Sequence, residues 1–276
     1  MKRVLRLGHS RVLLLGLAIL LSISIAALLA NWLYPADPFD IVGRANQWPG
    51  SNPRYPLGTD MLGRDLTAGM LHAARVSLLV GVGAAALSVL IGTTVGVVSG
   101  YTGGWLDDCL MRLTELFQTM PSFLFAILLV VILQPSIASI VFAIGITSWP
   151  QISRLVRAEA LRVRQQDFVS AALTMGIRHP AIIWRHILPN SISPVIVATS
   201  ILIAQAILTE ASLSFLGLGD PSVISWGSMV GAGRSSLRTA WYMTAIPGGA
   251  IFVAVMGFMY LGNGLNDLLN PRTEAR

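Results

Sequence analysis

The sequence predicts an all-α bundle of six transmembrane helices, and three observations predict it. Apolar residues make up 54% of the 276, and charged residues only 12%, about half the share of an ordinary soluble domain. The mean hydropathy is +0.69. Apolar stretches long enough to cross a hydrocarbon layer of ~30 Å, about 20 residues at ~1.5 Å each, recur along the chain. The basic residues gather in alternate intervening segments. Such a chain cannot clothe a water-facing surface of normal polarity. A soluble enzyme, a disordered chain and a nucleic-acid-binding domain are excluded, despite the formal charge of +6.

The first span is expected at residues 12–33. Its basic start would suit a signal peptide, but the apolar run is too long and no A-x-A site ends it, so it reads as a retained anchor. The other spans are expected at 76–99, 110–133, 137–152, 194–216 and 240–261. The fourth is short, and the third begins among charges. Placing the N-terminus in the cytoplasm puts thirteen of the nineteen basic residues inside and six outside, where Asp37, Asp40, Asp60, Asp65 and Asp220 nearly neutralise them. That asymmetry orients the chain with both termini cytoplasmic.

Three segments outside the spans carry information. Residues 35–56, rich in Pro, Gly, Asn and Asp, read as an extended extracytoplasmic loop. Asp60 can then cap a helix with Leu62, Leu66, Met70, Leu71 and Ala74 on one face and Arg64, Asp65 and His72 on the other. It reads as an amphipathic helix on the membrane surface, or as a platform for a substrate-delivering partner. Residues 151–190 form the longest cytoplasmic segment. Asp167 offers a cap, Phe168, Ala171, Ala172 and Met175 line one face, and Gly176 stands where a C-terminal cap glycine belongs. His179 and Pro180 restart a short helix that Pro189 stops. The small apolar face either enters a groove in a partner or packs back on its own bundle. Residues 209–237, broken by Gly217, Gly219, Asp220 and Pro221, read as following the fifth span in a partly re-entrant extracytoplasmic excursion.

Catalytic chemistry finds no footing. Lys2 is the single lysine, so no P-loop can form, and ATP chemistry must come from a partner. Cys109 is the single cysteine, which excludes an intrachain disulfide and a cysteine-built metal site. His9, His72, His179 and His186 do not group as metal ligands. In the fifth span Gln205, Thr209 and Ser212 share a face, with Glu210 near the outer boundary. Polar groups inside a span usually face a cavity or a partner. Gln205, Glu210 and Ser212 are therefore candidate pathway or gate residues, although Glu210 can instead be hydrated or pair with Arg234 or Arg238. Asp107 and Asp108 read as helix-start charges, and Glu115 and Gln118 lie near the inner boundary.

The segment SAALTMGIRHPAIIWRHILPN (170–190) resembles the EAA loop of ABC importer permeases: Ala171, Ala172, Gly176, Leu188 and Pro189 fall in register with it. Ser170 replaces the motif glutamate, and His186 stands where isoleucine is frequent. Glu159 lies too far upstream to substitute for that glutamate. PLGTDMLGRD (56–65), EASLSFLGLG (210–219), SWGSMV (225–230) and the ending RHILPN are similar to the dipeptide, oligopeptide and nickel branch of these permeases.

The resemblance implies a type I ABC importer permease fold in the bacterial cytoplasmic (inner) membrane. Residues 1–56 would form the N-terminal tail, first helix and outer loop, and residues 57–276 the permease core. It implies a second homologous permease, two ATPase subunits that bind ATP and magnesium, an extracytoplasmic solute-binding protein and surrounding lipid. The chain itself would hold no cofactor and have no enzyme activity. Ser170, Ala171, Ala172, Gly176, Leu188 and Pro189 would belong to the ATPase-coupling loop, with Phe168 and Met175 on its docking face. Di- or oligopeptides are the expected cargo, with nickel or a metal chelate as the alternative. A self-sufficient secondary transporter would need mid-membrane carboxylates and an internal repeat. On this reading Gly176→Val and Ala172→Arg should each leave the protein in the membrane yet uncouple transport from hydrolysis. Normal solute uptake by either variant would count against it.

Overall fold

The computed structural model describes residues 11–269; Lys2, Arg3, Arg6, Arg272 and Arg276, which enter the orientation argument, and His9 lie outside them. The elements are α1 (Arg11–Leu33), α2 (Leu66–Thr102), α3 (Gly104–Thr119), α4 (Ser122–Leu133), α5 (Ile137–Arg164), α6 (Asp167–Thr174), α7 (His179–Ile182), a wide π-type turn (Ile183–Ile187), α8 (Leu188–Phe215), α9 (Trp226–Gly233), a 3₁₀ turn (Arg234–Ser236) and α10 (Tyr242–Leu269). Among the described residues the extended backbone forms only two isolated bridges, Ile41 with Arg64 and Thr59 with Asp65.

The bundle is organised by a seam of glycine. Gly92, Gly96 and Gly100 recur every fourth residue on α2 and lie against the backbone of α5. A Cβ at Gly92 would stand 2.7 Å from the Trp149 carbonyl oxygen, at Gly96 2.5 Å from that of Ser153, and at Gly100 2.7 Å from that of Arg157. One turn higher, Ser88 donates to the Gly145 carbonyl at 2.8 Å. Lipid tails are as apolar as leucine, so helices in a membrane gain little from burying leucine. Close backbone approach through small residues supplies the attraction instead.

The order of these contacts shows that α2 and α5 run parallel, so α3 and α4 must return the chain between them. They do so as a bent pair, at 84° to each other. Pro121 has no N–H and forces Met120 out of the helical region (ψ 136°). The single third span expected at 110–133 is thus broken. α8 runs antiparallel to α2, with Ile207 filling the space at Gly81. α1 and α10 are also antiparallel, with Leu13 pressed on Gly264 and Leu20 on Gly257.

By length and composition α1, α2, residues 179–215 and α10 can each cross a membrane, and the bent pair makes a fifth. This falls one short of the six expected. The difference is α5, which has ample length at 28 residues, but polar and basic side chains from Thr147 onward dilute its apolar stretch.

Three expected outlines change. Residues 35–65 are a folded cap rather than an extended loop. Tyr55 donates to the Val42 carbonyl (2.6 Å), and Tyr242 of α10 donates to those of Gln47 (2.8 Å) and Thr59 (3.0 Å). No separate surface helix starts at Asp60, whose carboxylate instead accepts from the Leu62 and Arg64 N–H groups in a turn. Asp65 is the cap of α2, accepting from Thr67 N–H at 2.8 Å. Pro189 starts α8 instead of stopping a helix. It cannot donate to the Arg185 carbonyl, and the wide turn just before it absorbs the mismatch.

Gly96→Ala should separate α2 from α5 and cost about 1–3 kcal/mol, lowering the melting temperature of the isolated, detergent-solubilised subunit by roughly 5 °C. Gly248→Ala, where a Cβ would meet open space, should leave it unchanged. Equal melting of both variants in fluorescence-detected size-exclusion chromatography would remove the seam from its organising role.

Candidate functional site

The first site is the segment between α5 and α8. α6 begins at Asp167, whose carboxylate suits the positive end of the helix, while Gln166 occupies the cap position expected for Asp167. It ends in a Schellman turn: Gly176 N–H bonds the Leu173 carbonyl (3.0 Å), Ile177 N–H bonds that of Ala172 (3.1 Å), and Gly176 has φ 74°. A side chain with a Cβ is strained there, so Gly176→Val keeps its physical basis as a test.

The two faces of α6 are unequal. Val169 and Ala172 point inward and pack with Val156, Ala160, Val163, Ile182 and Ile187. Ala172 is 1% exposed. It therefore does not belong to the outward face on which the spacing placed it, and Ala172→Arg would drive a guanidinium into the core. Phe168 (44% exposed), Ala171 and Met175 (72%) do point outward, as does Ser170. Leu173 and Trp184, which the sequence pattern did not single out, join them. Leu188 is half-buried against the same core, and Pro189 is exposed.

This segment is tied to the bundle by polar contacts. Tyr101 at the end of α2 and His179 Nδ1 lie 2.6 Å apart. The Phe168 ring leans on that of His186, 6.1 Å between centroids. Close by, Asp107 in the first turn of α3 receives a bidentate bond from Arg157 of α5, with Nε and Nη2 both at 2.6 Å, and a further bond from Ser99 of α2. Three helices are thus joined through one carboxylate by charge-assisted bonds. Arg157 had entered the sequence argument only as a cytoplasmic charge. Fifty residues separate the partners, and no local pattern announces them.

The second site is the open face of α8. Gln205 and Ser212 lie on it and are exposed, with Thr209 half-buried beside them. Ser212, Leu208 and Phe215 line a cleft of about 490 Å³ together with Phe123 and Gly248. Glu210 does not share this face. It is 2% exposed, accepts from Ser214 (2.7 Å) and Ser77 (3.3 Å), and touches neither Arg234 nor Arg238. Ser77 in turn accepts from Trp226 N–H at 3.3 Å. Glu210 therefore holds α9 to α2 and α8, away from the open α8 face that carries Gln205 and Ser212. Arg234 lies over the Phe215 ring instead.

At the same end, Asp220 accepts from Ile137 N–H at 3.0 Å and so caps α5. Partial burial would raise its pKa, but bonds from the Ser222 hydroxyl and N–H and from Ile137 outweigh it and hold the carboxyl below its ordinary value. Among the described residues no group of three or more His, Cys, Asp or Glu side chains could hold a metal ion.

The profile of the family described as binding-protein-dependent transport system inner membrane component matches residues 92–275, a span that contains both sites. The glutathione transport system permease protein GsiD of Pectobacterium atrosepticum is 39% identical over 94% of this chain and 86% of its own length. The dipeptide transport system permease protein DppC of Alkalihalophilus pseudofirmus is 35% identical over 98% and 89%. The di/tripeptide transport system permease protein DppC of Pseudomonas aeruginosa is 35% identical over 97% and 90%.

The Glu210 network is testable with a single engineered thiol. In a Cys109→Ser background, which removes the one exposed native cysteine, Met229→Cys on the buried side of α9 should react slowly with a membrane-impermeant maleimide. Adding Glu210→Ala should raise that rate about tenfold or more, because an unmatched hydroxyl pair costs roughly 1–3 kcal/mol. An unchanged rate would mean that packing alone secures α9.

Proposed function

The chain belongs to the binding-protein-dependent transport system inner membrane component family, and from that premise we propose how its surfaces divide the work of an ATP-driven importer. It is a multi-pass membrane permease. The outward face of α6, with Phe168, Ala171, Leu173 and Met175, docks into a groove of an ATPase subunit. The open face of α8, with Gln205 and Ser212, meets a second permease and lines the path between the two. Two such ATPases carry ATP and magnesium. A solute-binding protein delivers cargo at the end capped by residues 35–65 and α9. Lipid surrounds α1, where Leu14, Leu21, Ile25, Leu28 and Trp32 are exposed. Both termini lie in the cytoplasm, as the distribution of arginine supports.

The observation that carries this reading is the division of α6 into a buried and an exposed face. A helix of eight residues has little stability alone. Here Val169 and Ala172 seat it on α5 and α8, and the Gly176 turn, the Tyr101–His179 contact and the Asp107–Arg157 pair brace it. A push on Phe168 or Met175 is therefore passed to the ends of the long helices as a rigid-body movement, where a floppy loop would dissipate it. Ser170 at the motif position is exposed and neutral, so docking here rests on apolar contact without a carboxylate.

The cargo we propose is short peptides. The relatives named above are permeases for glutathione, dipeptides and di/tripeptides, all small peptides with a free amino and a free carboxyl group.

Phe168→Glu with Met175→Glu should leave the chain folded, since both side chains are exposed, yet lower uptake of a radiolabelled dipeptide more than tenfold and abolish stimulation of the ATPase by the binding protein. Undiminished uptake at equal membrane abundance would move the docking surface elsewhere.

A further inference from the structure

A polar cavity of about 470 Å³ opens at the end of the bundle that carries α6. Glu159 and Arg162 of α5, Asn190, Ser193 and Pro194 at the start of α8, and Asn266 near the end of α10 line it. An acid, a base and two amides around one hollow are unusual in a chain with so few charged residues. The cavity has the size of a small-molecule site.

Its polar groups are only partly used by the protein. Arg162 Nη2 meets Glu159 Oε2 at 2.7 Å, and the Asn190 amide donates to the His186 carbonyl at 2.6 Å. Among the described residues the Ser193 hydroxyl and the Asn266 amide bond to no other group. Pro194, lacking an N–H, leaves the Asn190 carbonyl without its helical donor. The hollow also lies at the foot of the open α8 face. Val197, Ile201, Gln205, Leu208 and Ser212 follow it at intervals of three or four residues, leading to the outer cleft.

We propose that this cavity is an inner recognition site for short zwitterionic peptides. It rests on the peptide-permease reading above and names where such a cargo is held before release. The Arg162 guanidinium takes the carboxylate through two parallel bonds, and the Glu159 carboxylate takes the ammonium group. The Asn190 carbonyl, Ser193 and Asn266 hold the peptide unit between them. A zwitterion is the ligand that this pair fits, because it exchanges one ion pair for two and leaves the site neutral. A peptide held there joins α5, α8 and α10. Two of these helices run directly into the coupling segment, so filling and emptying the site is felt at α6.

The test is equilibrium dialysis of radiolabelled dialanine against the intact detergent-purified complex without its binding protein. Wild type should bind dialanine. N-acetyl-dialanine and dialanine amide, each lacking one terminal charge, should bind about tenfold more weakly or less. Arg162→Gln and Glu159→Gln should each weaken dialanine binding by about tenfold or more, and Asn266→Ala should weaken it without touching the ion pair. Arg154→Gln, whose guanidinium bonds Gln118, should bind as wild type does. Size-exclusion profiles establish that each complex is intact, and Asn266→Ala stands in for any charge variant that fails to assemble. Dialanine binding unaltered in all the cavity variants, or no wild-type binding at about 10 mM, overturns the site. Dialanine uptake by cells carrying the wild-type complex separates the two readings. Uptake with unaltered binding sinks only the inner site, whereas uptake of no di- or tripeptide sinks the peptide-permease reading itself.

Discussion

The contact between the backbones of α2 and α5 is the constraint on which the rest of this molecule depends. Gly92, Gly96 and Gly100 let the two helices meet with no side chain between them on the α2 side. Nothing in a lipid phase would hold two leucine-covered helices in one register, because lipid competes equally for the leucines. Backbone contact has a register, since a shift of one residue would set a Cβ against a carbonyl. That register brings Ser99, Asp107 and Arg157 within bonding distance at one end of the bundle. It also fixes where α5 ends, and so where α6 begins.

The segment between α5 and α8 inherits its rigidity from that frame. Its own bonds are few: about two turns of helix, a Schellman turn and a single-turn restart. Its firmness comes from Val169 and Ala172, which plug into the core built by α5 and α8. The same packing leaves Phe168, Leu173, Met175 and Trp184 facing away from the bundle. Exposed apolar side chains of that size on a short, braced element mark a contact surface.

The far end follows a different logic. There a buried carboxylate replaces glycine as the organiser. Glu210, with Ser77 and Ser214, sets a polar node inside an apolar core, and the Trp226 N–H at the start of α9 is satisfied through it. α9 can therefore lie between the long helices with its first N–H paired. Ser225 and Ser228 close the capping box, and Gly227 lies against the Ala211 backbone. This end is thus a folded cap of loop and short helix pinned by Tyr242, while the opposite end carries α6 beside a polar hollow.

What the sequence determined by itself is whatever depends on local composition and spacing. Hydropathy over 20 residues placed α1, α2, α8 and α10. Gly176 announced the turn that ends α6, and the positions of Phe168, Ala171 and Met175 announced an apolar surface. Local motifs also pointed to the family. A G-x-x-x-G-x-x-x-G run stands in plain view at Gly92–Gly100 and could have marked the seam, although only the partner helix shows what it packs on. The tertiary structure alone decided the rest, because those features join residues far apart in the chain. It turned Ala172 inward and Glu210 away from the open α8 face. It broke the third span at Pro121, and it paired Asp107 with Arg157 across fifty residues. Local sequence specifies which groups cannot stay in lipid or water unaided. Which distant group satisfies each of them is settled only when the helices pack.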